Sequence, residues 1–263
     1  MKRLIIRPGA LGDCTLALPA MEHLAAGCET EIWAPSTVTA LIRFGSAVRS
    51  LASTGIDMVG LDGIAAPENF VRRMRSFDSV VSWYGANRPD FQEAIAAMGI
   101  ACEFLQALPS PEGNEHAVDF FARQVGAPSG LNPRISIAPE RRRGSLVIHP
   151  FSGSLRKNWP LAHYREVAAR LGWPVEWTAG PEEDLEGAHR FENVGDLAVW
   201  LAGARTYVGN DSGVTHLAAA LGIPVIAIFV ASSPEVWAPR GPNVSVLVRP
   251  PVDEVLPLIL EMA

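Results

Sequence analysis

Short runs of β-branched and aliphatic residues alternate along the chain with longer stretches whose apolar positions recur at helical spacing. In the first half LIIR (4–7), TEIWA (30–34), DMVGL (57–61), SVVSW (79–83) and CEFLQ (102–106) read as strands, with helical stretches between most of them. The pattern restarts with SLVIH (145–149), PVEWTA (174–179), RTYVG (205–209), PVIAIF (224–229) and VSVLV (244–248). Such alternation predicts an α/β fold, parallel sheets covered by helices on both faces.

The two series are separated by APSGLNPRISIAPERRRG (127–144), which has three prolines, no helical period and three consecutive arginines. Read as a connection, it predicts a domain over 1–140, a second over 141–263, and a ligand cleft between the carboxyl ends of two sheets. The closing VDEVLPLILEMA places Val252, Val255, Leu256 and Ile259 at helical spacing. That helix fits equally against its own domain or across to the first.

Composition narrows the class. With 263 residues, 48% hydrophobic and 19% charged, the chain suits a globular protein with one large core or two modest ones. The net charge of −6 argues against a general nucleic-acid partner. MKRLIIRPG lacks the apolar core of a signal peptide, and no run of about eighteen apolar residues spans a membrane. Cys14, Cys28 and Cys102 are odd in number and show no metal-type spacing, so a cytoplasmic, reduced location is expected with no metal site.

The chemistry gathers after the strands. In DSGVTHLAAALGIPVIAIF (211–229), Asp211 and Ser212 suit the cap of a helix whose stripe is Val214, Leu217, Ala218 and Leu221. The N–H groups near Ser212, Gly213 and Val214 form an anion site, to which Thr215 and His216 add donors. Capping alone would explain the same residues. HPFSGSLRKNWP (149–160) offers small residues that let backbone approach a diphosphate, and Lys157 to neutralise it; a solvated lysine in a Ser/Gly loop is the plain alternative. In TAGPEED (178–184), Glu182 either complements a helix dipole or accepts from ribose hydroxyls. GALGD (9–13) has the look of a phosphate turn, yet ends in Asp13, whose charge would repel a phosphate.

GALGD, HPFSGSLRKNWP, TAGPEE and VGNDSGVTHLAAALGIPVIAIF together resemble glycosyltransferase family 9, the ADP-heptose:lipopolysaccharide heptosyltransferases. NEHAVDFFARQVGA (114–127) is similar to the segment ending that family's N-terminal domain. The resemblance implies a GT-B architecture: two Rossmann-like domains, acceptor on the first and nucleotide-sugar on the second, with inverting transfer, no cofactor and no metal. It makes Asp13 the general base and Ser152, Gly153, Ser154 and Lys157 the diphosphate turn. Glu182 falls at the nucleoside, and Asp211, Ser212, Gly213, Val214 and His216 at the second phosphate and sugar loop. Gly9 and Gly12 fall on the acceptor side, where Arg72, Arg73 and Arg75 add positive charge, although a solvated helix face accounts for those three equally. A glycan or glycolipid acceptor would bring the protein to the inner face of the cytoplasmic membrane. Phe151 and Val230 stand where the family has glycine, adding bulk expected near the donor, and the first half is short for the family.

In such a reaction a carboxylate takes the acceptor's proton as carbon–oxygen bonding develops, while Lys157 and the helix start at 212–214 stabilise the departing diphosphate. Asp13 is also a fitting helix cap, although Pro19, six residues on, is expected to bend or restart that helix. Cys14 reads as a packed residue rather than a reactive thiol. A GT-B-type nucleotide-sugar epimerase and a catalytically silent nucleotide-sugar binder are the competing readings.

Overall fold

The computed structural model describes residues 1–110 and 113–262, which form two five-stranded parallel sheets. The first contains β1 (Lys2–Ile6), β2 (Glu29–Ala34), β3 (Ala47–Ser50), β4 (Ser79–Ser82) and β5 (Cys102–Phe104), in the order β3-β2-β1-β4-β5. The second contains β6 (Leu146–His149), β7 (Val175–Trp177), β8 (Thr206–Asn210), β9 (Val225–Phe229) and β10 (Val244–Val248), in the order β10-β9-β8-β6-β7. Both orders are doubly wound, but they differ: the first is the Rossmann order, the second the flavodoxin-like one. The central strands are fully covered, so Leu4, Ile5, Ile6 and Leu146, Val147, Ile148 are all buried.

Two expectations from the pattern fail. DMVGL is not a strand: Ile56–Met58 make a 3₁₀ turn that buries Ile56 and Val59 beneath the sheet, and the strand is β3 instead. Helix α1 (Leu11–Ala25) runs through Pro19 as one element, neither ended nor restarted there. The proline costs roughly 3 kcal/mol, but Leu16, Leu18 and Met21 are buried in the same helix, each contributing about 1.5–3 kcal/mol. Packing therefore outweighs the lost hydrogen bond.

The largest core gathers side chains from both sheets: Ile5, Met21 and Ile32 join Tyr207, Val225 and Phe229 in one contiguous cluster. Helix α1 packs on α4 (Ala117–Gln124) and on α7 (Gly213–Ala220). The N-termini of α1 and α7 abut so closely that a Cβ on Gly213 would lie 2.9 Å from that of Leu11 and 3.1 Å from the Gly12 nitrogen. From α4, Asp119 forms a two-pronged pair with Arg240, and from the cap of that helix His116 Nε2 donates to the Ala238 carbonyl at 2.9 Å. The closing helix α9 (Val252–Glu261) packs against α5 (Leu161–Leu171) and β9, in a second core with Ile148 and Ile226.

Candidate active site

In each sheet the strand order reverses at one point, between β1 and β4 in the first and between β6 and β8 in the second. Connections leave such a point in opposite directions, opening a crevice at the strands' carboxyl ends. The loops after β1, β6 and β8 carry Gly9–Asp13, Pro150–Lys157 and Asp211–Gly213. All three contribute to one cavity of about 930 Å³.

One wall comes from the first sheet: Ala10, Leu11, Gly12, Asp13 and Leu16, with Ser36, Thr37 and Leu108. Gly9 supports it from behind. Its φ of +117° is a conformation that L side chains rarely adopt, and a Cβ there would come within 2.9 Å of the Asp13 Cβ. Asp13 occupies the third helical position of α1, not the cap, which is Ala10. Its Oδ2 accepts from the Ala10 N–H at 3.0 Å, and among the described residues Oδ1 has no hydrogen bond. The carboxylate thus both anchors the first helical turn and faces the cavity.

Behind Asp13 lies a residue that the sequence reading passed over. Arg7 is 1% exposed, its guanidinium 4.4 Å from the Phe121 ring, with Nη2 donating to the Asp13 carbonyl at 2.9 Å and Nη1 to that of Ala107 at 3.1 Å. Burial pushes its pKa below the usual guanidinium value, opposed by Cys14 and Asp13. Cys14 is packed and inert: burial raises its thiol to about 11, which Arg7 only partly offsets.

The opposite wall centres on Asp211, which is 5% exposed. Its Oδ2 accepts from Lys157 Nζ at 2.7 Å and from Ser232 Oγ at 2.6 Å, and its Oδ1 lies 3.6 Å from His216 Nε2. Burial opposes its charge, but His216, Lys157 and Ser232 outweigh that and hold the carboxyl at about 2. Asp211 is therefore the anchor that fixes Lys157 beside the cavity. Ser212 caps α7, its Oγ accepting from the Thr215 N–H at 3.4 Å, while Ser212, Gly213 and Val214 line the cavity at that helix start. His216 is buried beside Gly12, where a Cβ would sit 3.0 Å from its Cδ2.

Several candidates lie elsewhere. Thr215 turns inward, bonding to the Asn210 carbonyl and to Tyr207, and Ser154 does not line the cavity although Ser152 and Gly153 do. Glu182 is exposed and outside the wall; its neighbour Glu183 lines it instead, accepting from His149 Nε2 at 3.1 Å and from the Gly180 N–H at 2.6 Å. Phe151 and Val230 add no bulk to the cavity: Phe151 lies edge-on to His149, and Val230 packs on the second core. Arg72, Arg73 and Arg75 belong to a different surface, on or just after α2 (Glu68–Met74). Arg73 pairs with Glu31, Arg75 donates to the Met98 carbonyl and Arg72 to Asn69.

Residues 110–252 match the model of glycosyltransferase family 9 (heptosyltransferase), more than half of the chain. The chain belongs to glycosyltransferase family 9. Within the family it is 38% identical over 93 residues to lipopolysaccharide heptosyltransferase 1 of Pseudomonas aeruginosa, a match covering 30% of this chain and 26% of that protein. Among solved structures it is similar to E. coli heptosyltransferase WaaC with ADP, at a TM-score of 0.70 and 18% identity over the whole of both chains. It is also similar to E. coli ADP-heptose lps heptosyltransferase II, at a TM-score of 0.73 and 16% identity, covering 100% of this chain and 98% of that one. At these identities the solved structures speak for the fold, and the architecture of this family 9 member is GT-B.

Proposed function

We propose that the protein transfers a sugar, an ADP-linked heptose in the first instance, from a nucleotide-diphosphate donor to a hydroxyl of a glycan or lipopolysaccharide-core-type acceptor, with inversion. The observation carrying this is that Asp13 and the Lys157–Asp211 pair line opposite walls of one cavity. As the acceptor oxygen bonds to the anomeric carbon, its proton passes to Asp13, and the carbon–oxygen bond to the diphosphate breaks. The charge then left on the diphosphate is met by Lys157 and by the N–H groups at the start of α7. A base on one side and a leaving-group site on the other favour inversion.

The donor's charge is handled in this reading by the chain's own groups, so transfer needs neither cofactor nor metal. Among the described residues no cluster of three His, Cys, Asp or Glu side chains is placed to hold an ion. The domain division at 140/141 assigns acceptor to the first part and donor to the second. A glycolipid acceptor would make the protein a peripheral visitor to the cytoplasmic face of the membrane; among the described residues no helix is long and apolar enough to cross one.

Asp13→Asn tests the reading. Transfer from ADP-heptose should fall by at least about a hundredfold, in line with the loss of a general base, while calorimetric affinity for ADP stays within about twofold. Parent activity should persist in EDTA. Equal turnover by the variant removes Asp13 from the mechanism.

A further inference from the structure

The residue behind Asp13 is held in a way that packing alone does not explain. Arg7 directly follows β1, and its N–H donates to the Trp33 carbonyl at 2.9 Å, so its backbone is tied to β2. The guanidinium lies 4.4 Å from the Phe121 ring of α4 and 5.7 Å from that of Trp83. Its two terminal nitrogens donate to the carbonyls of Asp13, in the first turn of α1, and of Ala107, which precedes Leu108 of the cavity wall. Among the described residues its Nε–H has no partner and no carboxylate pairs with it directly. An apolar side chain would pack between the same rings without the cost of burying a charge. The negative charges that act on Arg7 are those of Asp13 and Cys14. Burial holds the Cys14 thiol at about 11 and so uncharged at neutral pH, which leaves the Asp13 carboxylate as the counter-charge.

We infer that Arg7 is a positioning residue for Asp13, pinning the first turn of α1 to β1, to α4 and to the Ala107 segment so that the carboxylate keeps Oδ2 on the Ala10 N–H and leaves Oδ1 free. Arg7 does not itself line the cavity, so it acts only through the group it holds. Without the guanidinium the Asp13 and Ala107 carbonyls lose their common donor, and the turn that bears the carboxylate loses its tie to the structure beneath it. A catalytic group displaced by about 1 Å can lose up to about a hundredfold in rate. That catalytic consequence rests on the proposed role of Asp13 as base; the placement of its carboxylate is read independently of it.

The test compares Arg7→Met, Arg7→Lys and Asp13→Asn in the full chain. The Ala10 amide proton, bonded to a carboxylate in the parent, is followed in proton–nitrogen NMR spectra; Asp13→Asn should move it, and Arg7→Met should move it in the same direction while the amides of β9 stay in place. Turnover with ADP-heptose should show kcat lowered by about ten- to a hundredfold in Arg7→Met, with KM for the donor and calorimetric affinity for ADP within about twofold. Arg7→Lys, which keeps the charge and reaches a single carbonyl, should fall between Arg7→Met and the parent in both readouts, and it carries the test alone if Arg7→Met does not fold. An Ala10 resonance that stays at its parental position overturns the inference. So does a kcat within about twofold of the parent when Asp13→Asn is impaired, or a loss that lies in KM. Parental turnover by Asp13→Asn strikes the base reading instead, and the Ala10 resonance then decides for or against Arg7.

Discussion

Asp211 is 5% exposed and still ionised, which requires its partners to outweigh the cost of burying it. Its carboxyl falls from an ordinary 3.8 to about 2 on folding. A depressed carboxylate pKa contributes stability that is fully present above the unfolded value and lost as pH falls through the folded one, here between about pH 4 and pH 2. The contribution is about 2 kcal/mol. Asp211→Asn should therefore cost stability at pH 6, and the gap from the parent should narrow to roughly half by pH 3, read by urea denaturation at both values. A gap independent of pH would mean the side chain acts through packing alone. At this scale the sequence showed which residue types cluster after β6 and β8, but not their partners. Glu182 and Glu183 are indistinguishable in TAGPEED until the turn decides which one points at Gly180 and His149. Ser232 and Arg7 reach the site through the fold, and only an arginine closing the apolar run LIIR hinted at the second.

Helices α1 and α7 pack against each other with their N-termini in contact, bringing two sets of free N–H groups to the same cavity. Glycine makes that approach possible. Gly213→Ala would place a methyl 2.9 Å from the Leu11 Cβ and 3.1 Å from the Gly12 nitrogen, where backbone would have to shift. The expected cost is about 1–3 kcal/mol, seen as a lower urea midpoint, whereas Gly144→Ala, with open space around the new methyl, should leave the midpoint within about 0.5 kcal/mol. Nine of the ten strands coincide with runs legible in the sequence: the central ones because parallel strands buried on both faces read as unbroken hydrophobic stretches, and the partly buried edge strands β5, β7 and β10 through their valine, leucine, phenylalanine and tryptophan residues. The tenth, β3, is an edge strand of AVRS, only half-buried, whose Arg49 is held by Glu31 of β2. Pairing with a neighbour, not hydrophobicity, makes it a strand, and that is invisible without the sheet.

The two sheets share their largest apolar cluster, and this bears on how the molecule unfolds. Domains joined through small polar interfaces move and melt separately. Here Ile5 and Met21 lie in one contiguous core with Tyr207 and Phe229, and the buried face is fastened at its edge by Asp119–Arg240 and His116–Ala238. Separating the halves would expose that core and leave the pairs unmade, so neither half retains its stability alone. The proposed division at 140/141 then describes who binds what, while unfolding is expected to be a single transition. Hydrogen exchange across a urea series checks this: amides of β1 and β9 should lose protection at the same denaturant concentration, coincident with the far-UV dichroism change. Protection lost from β1 well before β9, or stable folding of residues 1–140 by themselves, would show that the shared core does not couple the sheets.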